Sequence, residues 1–271
     1  MKKILVPTDF SPVANNAMSY AIELAAAFNS ELLLYHAYSF DRFNYDLSYP
    51  DEEQPFIKEV ERKMKLAELR FKNKAAQNQL SLKTIIKQRN ILSLFQSDAK
   101  EDGIDLIVMG TKGATGLEKV IFGSVAAAAL AMTKVPVLVV PPEQSFQPLQ
   151  HIVLAVDHKE TDGEVLSPLR ALASKYETKI TLLNVNKQQN DNVHRKLNIP
   201  GLEGLETTYQ EVPFSNSINE TINDFITKAD CDLLCMIKRE KGFFESIFSK
   251  SVAKEQSYNS QVALLILPEK R

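Results

Sequence analysis

The chain has 271 residues, long for one compact domain and comfortable for two. Hydrophobic residues make up 44% and charged residues 24%, ordinary globular proportions that exclude a largely disordered chain. A net charge of −2 leaves no basic footprint for nucleic acid, and two cysteines cannot build a disulfide scaffold.

The chain opens on Lys3–Pro7, a short apolar β-branched run closed by Thr8 and Asp9, which predicts a buried strand. Its apolar run is too short for a secretory leader, so a cytoplasmic location is expected. Ser11-Pro12 then supplies an N-cap and a first-turn proline, and Ala17, Ala21, Leu24, Ala25 and Phe28 recur at helical spacing. A second strand is predicted over 31–38, a polar loop over 41–55 and a lysine-rich helix from about 56 to 77. Glutamates at 59, 61 and 68 interleave with those lysines, the pattern of a solvated face rather than of a nucleic-acid surface. A third strand follows at 82–88, a helix at 91–100 and a fourth strand at 105–109. A glycine-rich segment, 110–123, leads to an alanine-rich helix at 124–133 and a fifth strand at 135–140, ended by Pro141-Pro142. The longest uncharged stretch, Val120 to Thr133, falls short of the roughly 20 residues of a membrane helix. Strands that are continuous apolar runs alternating with helices predict an α/β fold with a parallel sheet covered on both faces.

The second half repeats this plan. The run 151–157 echoes 3–9, and 232–236 echoes 105–109; 246–252 echoes 120–125, and 261–268 echoes 134–141. Matches in the same order imply an internal duplication, with units at 1–143 and 150–271 joined by a polar stretch containing Pro148. The second copy is shorter between its second and third strands, so its second helix is expected to be reduced.

The segment that carries chemistry contains Gly110, Gly113, Gly123 and Ser124, between a predicted strand and a predicted helix. In open α/β sheets ligands bind at the carboxyl ends of the strands. Gly110 and Gly113 let backbone approach a ligand without side chains in the way. Gly123-Ser124 opens a helix whose free N–H groups and dipole favour an anion. Two such clusters around a loop suit a di- or triphosphate, and Lys112 and Lys119 add positive charge.

These residues resemble the universal stress protein family, whose nucleotide-binding members carry G-x2-G-x9-G-[S/T] after the fourth strand. Gly110, Gly113, Gly123 and Ser124 have that spacing, and Pro7-Thr8-Asp9 and the closing Val-Pro-Val-Leu-Val-Val strand match as well. The resemblance implies tandem Rossmann-like domains of the adenine nucleotide alpha hydrolase-like type, each a five-stranded parallel sheet in the order 3-2-1-4-5. It implies ATP as the ligand, with Mg²⁺ open. It places Asp9 near the ribose and beside Gly110, with Met109 and Lys112 at the same end. Ala37 would offer backbone to adenine, and Val125 its N–H beside Ser124. The two copies are expected to pair through their last strands, 135–140 against 262–267, as an intramolecular pseudo-dimer; association of whole chains stays open.

The second copy departs from the motif. Ile237 and Glu240 stand near the places of the first two glycines, so one nucleotide per chain is expected, although Asp157 persists where the first copy has Asp9. The leading functional expectation is an ATP-binding stress-response regulator read by an unidentified protein partner. A slow ATPase or nucleotide-dependent transferase is the second reading, and an interaction module without nucleotide the third. Cys231 and Cys235 would share one face of an extended segment, and His36, His151, His158 and His194 show no ligand spacing, so no metal site is expected.

Overall fold

The computed structural model describes residues 1–39, 53–111, 123–157, 160–186, 199–239 and 262–269. In the first half β1 (Lys3–Pro7), α1 (Pro12–Phe28), β2 (Glu31–Tyr38), α2 (Glu53–Gln77) and β3 (Leu82–Gln88) follow in order. After β3 the predicted helix at 91–100 is a composite: α3 (Ile91–Ser93), a π-helical turn over Leu94–Asp98, and α4 (Ala99–Glu101). The wider turn buries Leu94 and Phe95 fully, which a 3.6-residue period through that segment does not anticipate. β4 (Leu106–Gly110), α5 (Ser124–Met132) and β5 (Val137–Val140) complete the half.

The second half holds β6 (His151–Val156), a 3₁₀ turn over Gly163–Leu166 running into α6 (Ser167–Tyr176), and β7 (Lys179–Asn186). β8 (Thr207–Pro213), α7 (Ile218–Lys228), β9 (Leu233–Lys238) and β10 (Ala263–Pro268) follow. Between β7 and β8 the described residues, 199–206, form turns; residues 187–198, where the reduced second helix is expected, lie outside the described residues.

The ten strands of the described residues make one sheet in the order β3-β2-β1-β4-β5-β10-β9-β6-β7-β8. Each half therefore runs 3-2-1-4-5 in its own count, and within each half the ladders are parallel. The halves join through an antiparallel ladder of β5 with β10, Val137–Val139 facing Leu264–Ile266. The expected pairing of the two last strands is thus made inside one chain. Alternate strand residues supply two apolar layers, as a pleated sheet requires. Ile4, Val6 and Leu154 meet α1, α2 and α6 on one face, while Leu5, Val153 and Leu234 meet the π turn, α5 and α7 on the other.

Small details repeat along with the strands. Asp105 accepts the backbone N–H groups of Lys2 and Lys3, and Asp232 accepts those of Gln150 and His151. α1 and α6 both end on a left-handed residue, Asn29 and Glu177, one position before the next buried polar side chain. The joining segment is held by side chains: Asn16 donates to Pro141 O and Gln144 O, and Gln144 donates to Asp232 O. Phe146 sits between the rings of Tyr20, 5.0 Å away, and Tyr176, 6.0 Å away.

Candidate functional site

In the order 3-2-1-4-5 the chain leaves the sheet in opposite directions after strands one and four, so a crevice opens between their carboxyl ends. Pro7 widens it in the first half. Lys3 O accepts from Asp105 N, so the odd residues of β1 turn their backbone groups toward β4; Thr8 N donates to Tyr35 O, so the even ones turn toward β2. Pro7 therefore faces β4 with no N–H to offer. The β1–β4 ladder ends at Leu5↔Ile107, whereas β1–β2 runs on to Pro7↔Tyr35 and β4–β5 to Gly110↔Val140.

Thr8 and Asp9 continue past the end of β1 into this opening. Thr8 is buried and its hydroxyl accepts from Phe10 N at 2.9 Å; its carbonyl lies 2.7 Å from His36 Nδ1. Asp9 is exposed, and one carboxylate oxygen accepts from Ser11 N at 3.0 Å. Asp9 thus shapes the turn into α1, while Ser11 caps the helix through Ala14 N. The second carboxylate oxygen retains its acceptor capacity. Phe10 takes a left-handed φ of 67° and lays its ring 4.6 Å from that of His36. Ala37, half-buried on β2, lies one residue further along, opposite Lys87.

Across the crevice stand Met109, buried, and Gly110 at the end of β4. Gly110 has a structural reason to lack a side chain. A Cβ there would press into Val13 Cγ1 and lie 3.0 Å from Val13 O, so glycine is what lets the first turn of α1 pack on β4. Thr111 O accepts from Gly123 N at 3.2 Å, which draws the two ends of the glycine-rich segment together. Gly123 is the N-cap of α5 and provides no side-chain acceptor. By contrast Ser11, Asn90, Asp162 and Ser217 each cap their own helical start with a side-chain oxygen. Ser124 and Val125, the next two residues of α5, are exposed. Their N–H groups belong to the set that no helix can satisfy internally. Lys112, Gly113 and Lys119 lie outside the described residues.

The second half builds the same crevice and closes it. Ala155 replaces Pro7, and the β6–β9 ladder runs two pairs further, through Leu154↔Cys235 to Ala155↔Met236. Ile237 occupies the place of Gly110. Arg239, at the place of Lys112, is folded inward with its side chain only 4% exposed. Its Nη1 meets Asp157 at 2.5 Å, and its Nη2 donates to Glu160 O and Thr161 Oγ1 at 2.9 and 2.6 Å. Nε lies 3.0 Å from Glu269, a charge contact outside hydrogen-bond alignment. Sequence reasoning singled out Ile237 and Glu240 as the obstacles and missed Arg239; Glu240 lies outside the described residues. The available signal was Asp157, a retained carboxylate in need of a cation once the glycine motif is gone.

The remaining candidates are structural. Cys231 and Cys235 are free and buried, but they belong to opposite faces of the sheet, because Cys231 precedes β9 and packs beneath α7 with Ile226 while Cys235 faces the α6 side. The expectation of a shared face is corrected accordingly. Burial pushes the Cys231 thiol up to about 12 and that of Cys235 higher still. His151 bridges Ala229 O and Thr181 Oγ1, a core role; His158 and His194 lie outside the described residues. No cluster of metal-binding side chains occurs among the described residues. The charges of α2 pair along its surface, as Arg62–Glu59 and Lys65–Glu68 do, and Lys74 reaches Glu23 on α1. No helix among the described residues is long and apolar enough to cross a membrane.

A family model described as the Universal stress protein family matches residues 1–141, just over half of the chain. The chain belongs to the universal stress protein family. Among its relatives, universal stress protein MJ0531 of Methanocaldococcus jannaschii is 32% identical over 141 residues, which span 51% of this chain and 81% of the relative. Universal stress protein YxiE of Bacillus subtilis is 30% identical over 146 residues, spanning 51% and 97% of the two chains. The crystal structure of a universal stress protein from Archaeoglobus fulgidus aligns with 99% of this chain and 98% of its own, at a TM-score of 0.75 and 16% identity. That last likeness establishes the family fold over both halves.

Proposed function

We propose that the chain is a cytoplasmic ATP-binding regulator of the stress response, carrying one nucleotide per chain in its first half, with Mg²⁺ on the phosphates. The observation behind this reading is the contrast between the two crevices. The first is unzipped at Pro7, rimmed by Asp9 and floored by the uncapped N-terminus of α5, whereas the second is filled by Arg239. Phosphate oxygens would accept from the N–H groups of Ser124 and Val125 and from the Ser124 hydroxyl, with Lys112 adding charge and Gly113 room. Asp9 would meet the ribose or the metal, and Ala37 the base. In the same reading 1–143 and 150–271 are the two functional units, the second serving as a built-in partner for the first. Nucleotide holds the 110–124 segment in one arrangement, and a protein partner distinguishes that state by its differential affinity.

The test is mass spectrometry of small molecules released from purified protein, comparing the wild type with Gly123→Asp. Gly123 has φ −64° and ψ 163°, open to any residue, so aspartate there supplies the missing cap and sets a negative charge where phosphate would lie. The wild type is expected to release close to one adenine nucleotide per chain. The variant is expected to release none, to bind added ATP at least about 100-fold more weakly, and to melt no earlier. Absence of nucleotide from both, with no uptake of added ATP and Mg²⁺, defeats the reading in favour of a nucleotide-free interaction module. Two nucleotides per chain would defeat its single-site form.

A further inference from the structure

The antiparallel β5–β10 junction turns the carboxyl ends of the second half's strands toward the amino ends of the first half's. A cleft of about 1150 Å³ lies between them. Its walls carry charges of both signs, but their partners differ. Asp105 accepts from the backbone of Lys2 and Lys3, and Glu269 faces Arg239. Glu101, Glu164 and Lys100 also line the cleft and are likewise outside the ion pairs of the described residues. Lys134, just after α5, and Lys238, at the end of β9, line it from opposite halves of the molecule. Neither is among the ion-paired residues of the described structure.

We propose that this cleft is an anion site, in which a phosphate-class group bridges Lys134 of the first half and Lys238 of the second. Lys238 Nζ donates to Thr133 O at 3.3 Å, the carbonyl just beyond the last turn of α5, and an ammonium group has three protons to give. Its remaining donors stay available for an anion. Burial, and then the like charge of Lys134, bring Lys238 down to about 8. A phosphate between the two ammonium groups would offset both effects, and its several oxygens can serve both lysines. The site differs from the crevice of the first half. α5 runs from Ser124 at that crevice to Met132 beside the cleft, a span of about 13 Å at the rise of an α-helix.

The probe is inorganic pyrophosphate, added to the full chain with ¹³C-labelled lysines. The ε-methylene signal of Lys238 is assigned by its loss in Lys238→Arg. Saturable movement of that signal is expected, with its titration midpoint rising when pyrophosphate is bound. Lys134→Gln is expected to weaken the response about tenfold, and Gly123→Asp, which blocks the first half's crevice, to leave it unchanged. A Lys238 signal unmoved at tens of millimolar pyrophosphate overturns the proposal. So does a response of equal affinity in Lys134→Gln, or one abolished by Gly123→Asp, which would assign the anion to the crevice instead.

Discussion

The two halves of this chain carry one topology and two fates for the same crevice. In the first half the strands on either side part after Leu5 and Ile107; in the second they stay paired through Ala155 and Met236. In the first half Asp9 is exposed; in the second its counterpart Asp157 is held by Arg239. The difference rests on a few side chains rather than on the fold. Pro7 against Ala155 sets how far the ladder runs, and Gly110 against Ile237 sets how closely the first helix can pack. Arg239 places a cation against the carboxylate that the second half retains. In the second half the chain itself supplies the counter-charge that the retained carboxylate needs.

The largest expected effect comes from the glycine that the halves do not share. Gly110→Ala drives a Cβ into Val13, a β-branched residue in the first turn of α1, and against its backbone. Overpacking of this kind costs about 3 kcal/mol when helix backbone has to move. Urea denaturation should show that loss even without nucleotide. A neutral Gly110→Ala would mean that the glycine serves the ligand alone and that the helix-packing account is wrong.

Next comes the arginine. Arg239→Ala removes a buried guanidinium and leaves Asp157 and Glu269 without it. Breaking a fully buried pair costs about 3–5 kcal/mol, and because both carboxylates keep solvent contact, a loss of about 2 kcal/mol is expected here. Nucleotide stoichiometry should stay at one per chain, since Ile237 and the tightly paired β6–β9 ladder remain. A second nucleotide in Arg239→Ala would show that the arginine alone keeps the second crevice shut.

Pro7→Ala tests the ladder itself with a smaller change. Alanine restores an N–H facing β4, as Ala155 has facing β9. Stability should change by no more than about 1 kcal/mol, the net value of one backbone hydrogen bond offset by the lost stiffness of proline. Affinity for ATP should fall several-fold as the crevice narrows. Unchanged affinity, measured by calorimetry, would separate the width of the crevice from its function.

Much of this was legible in the sequence because strands buried on both faces read as unbroken apolar runs. The strands and the duplication are read from such runs and their echoes, and the strand order and the pairing of 135–140 with 262–267 from the family resemblance. The crevice was legible as a location, through Pro7-Thr8-Asp9 and Gly110 to Ser124. Its mechanism was not. That Pro7 points its missing N–H at β4 depends on strand parity, which only the pairing reveals. That Gly110 makes room for Val13 depends on how α1 lies across β4. Arg239 followed an apolar strand and looked like an ordinary charge after a core segment; its inward fold depends on three partners 78 to 82 residues earlier in the chain.

The smallest expected effect concerns pH, and it too separates the halves. Cys231 and Cys235 fall where the first half has Ile104 and Val108, so thiols stand in only one copy of this core. Burial raises Cys231 from 9.0 to about 12, so between these values the folded state keeps a proton that the unfolded state loses. The folded form then binds more thiol protons, so this contribution to stability falls as pH rises past 9, against the opposite contribution of Lys238, whose lowered pKa favours the folded state as pH rises past about 8. By linkage the loss from Cys231 is a fraction of a kcal/mol near pH 9 and steepens with each further pH unit. Cys235, shifted in the same direction, adds to this. Tyr176, raised by burial to about 12, joins only once unfolded tyrosine begins to ionise near 10. Replacing both cysteines by valine should therefore make the stability profile between pH 8 and 10 slope less steeply downward than in wild type, whatever packing cost it carries at pH 7. A profile of the same slope in the double variant would place the alkaline limb on the tyrosines, which both halves contribute through Tyr20 and Tyr176, and would remove the thiols from the contrast between the copies.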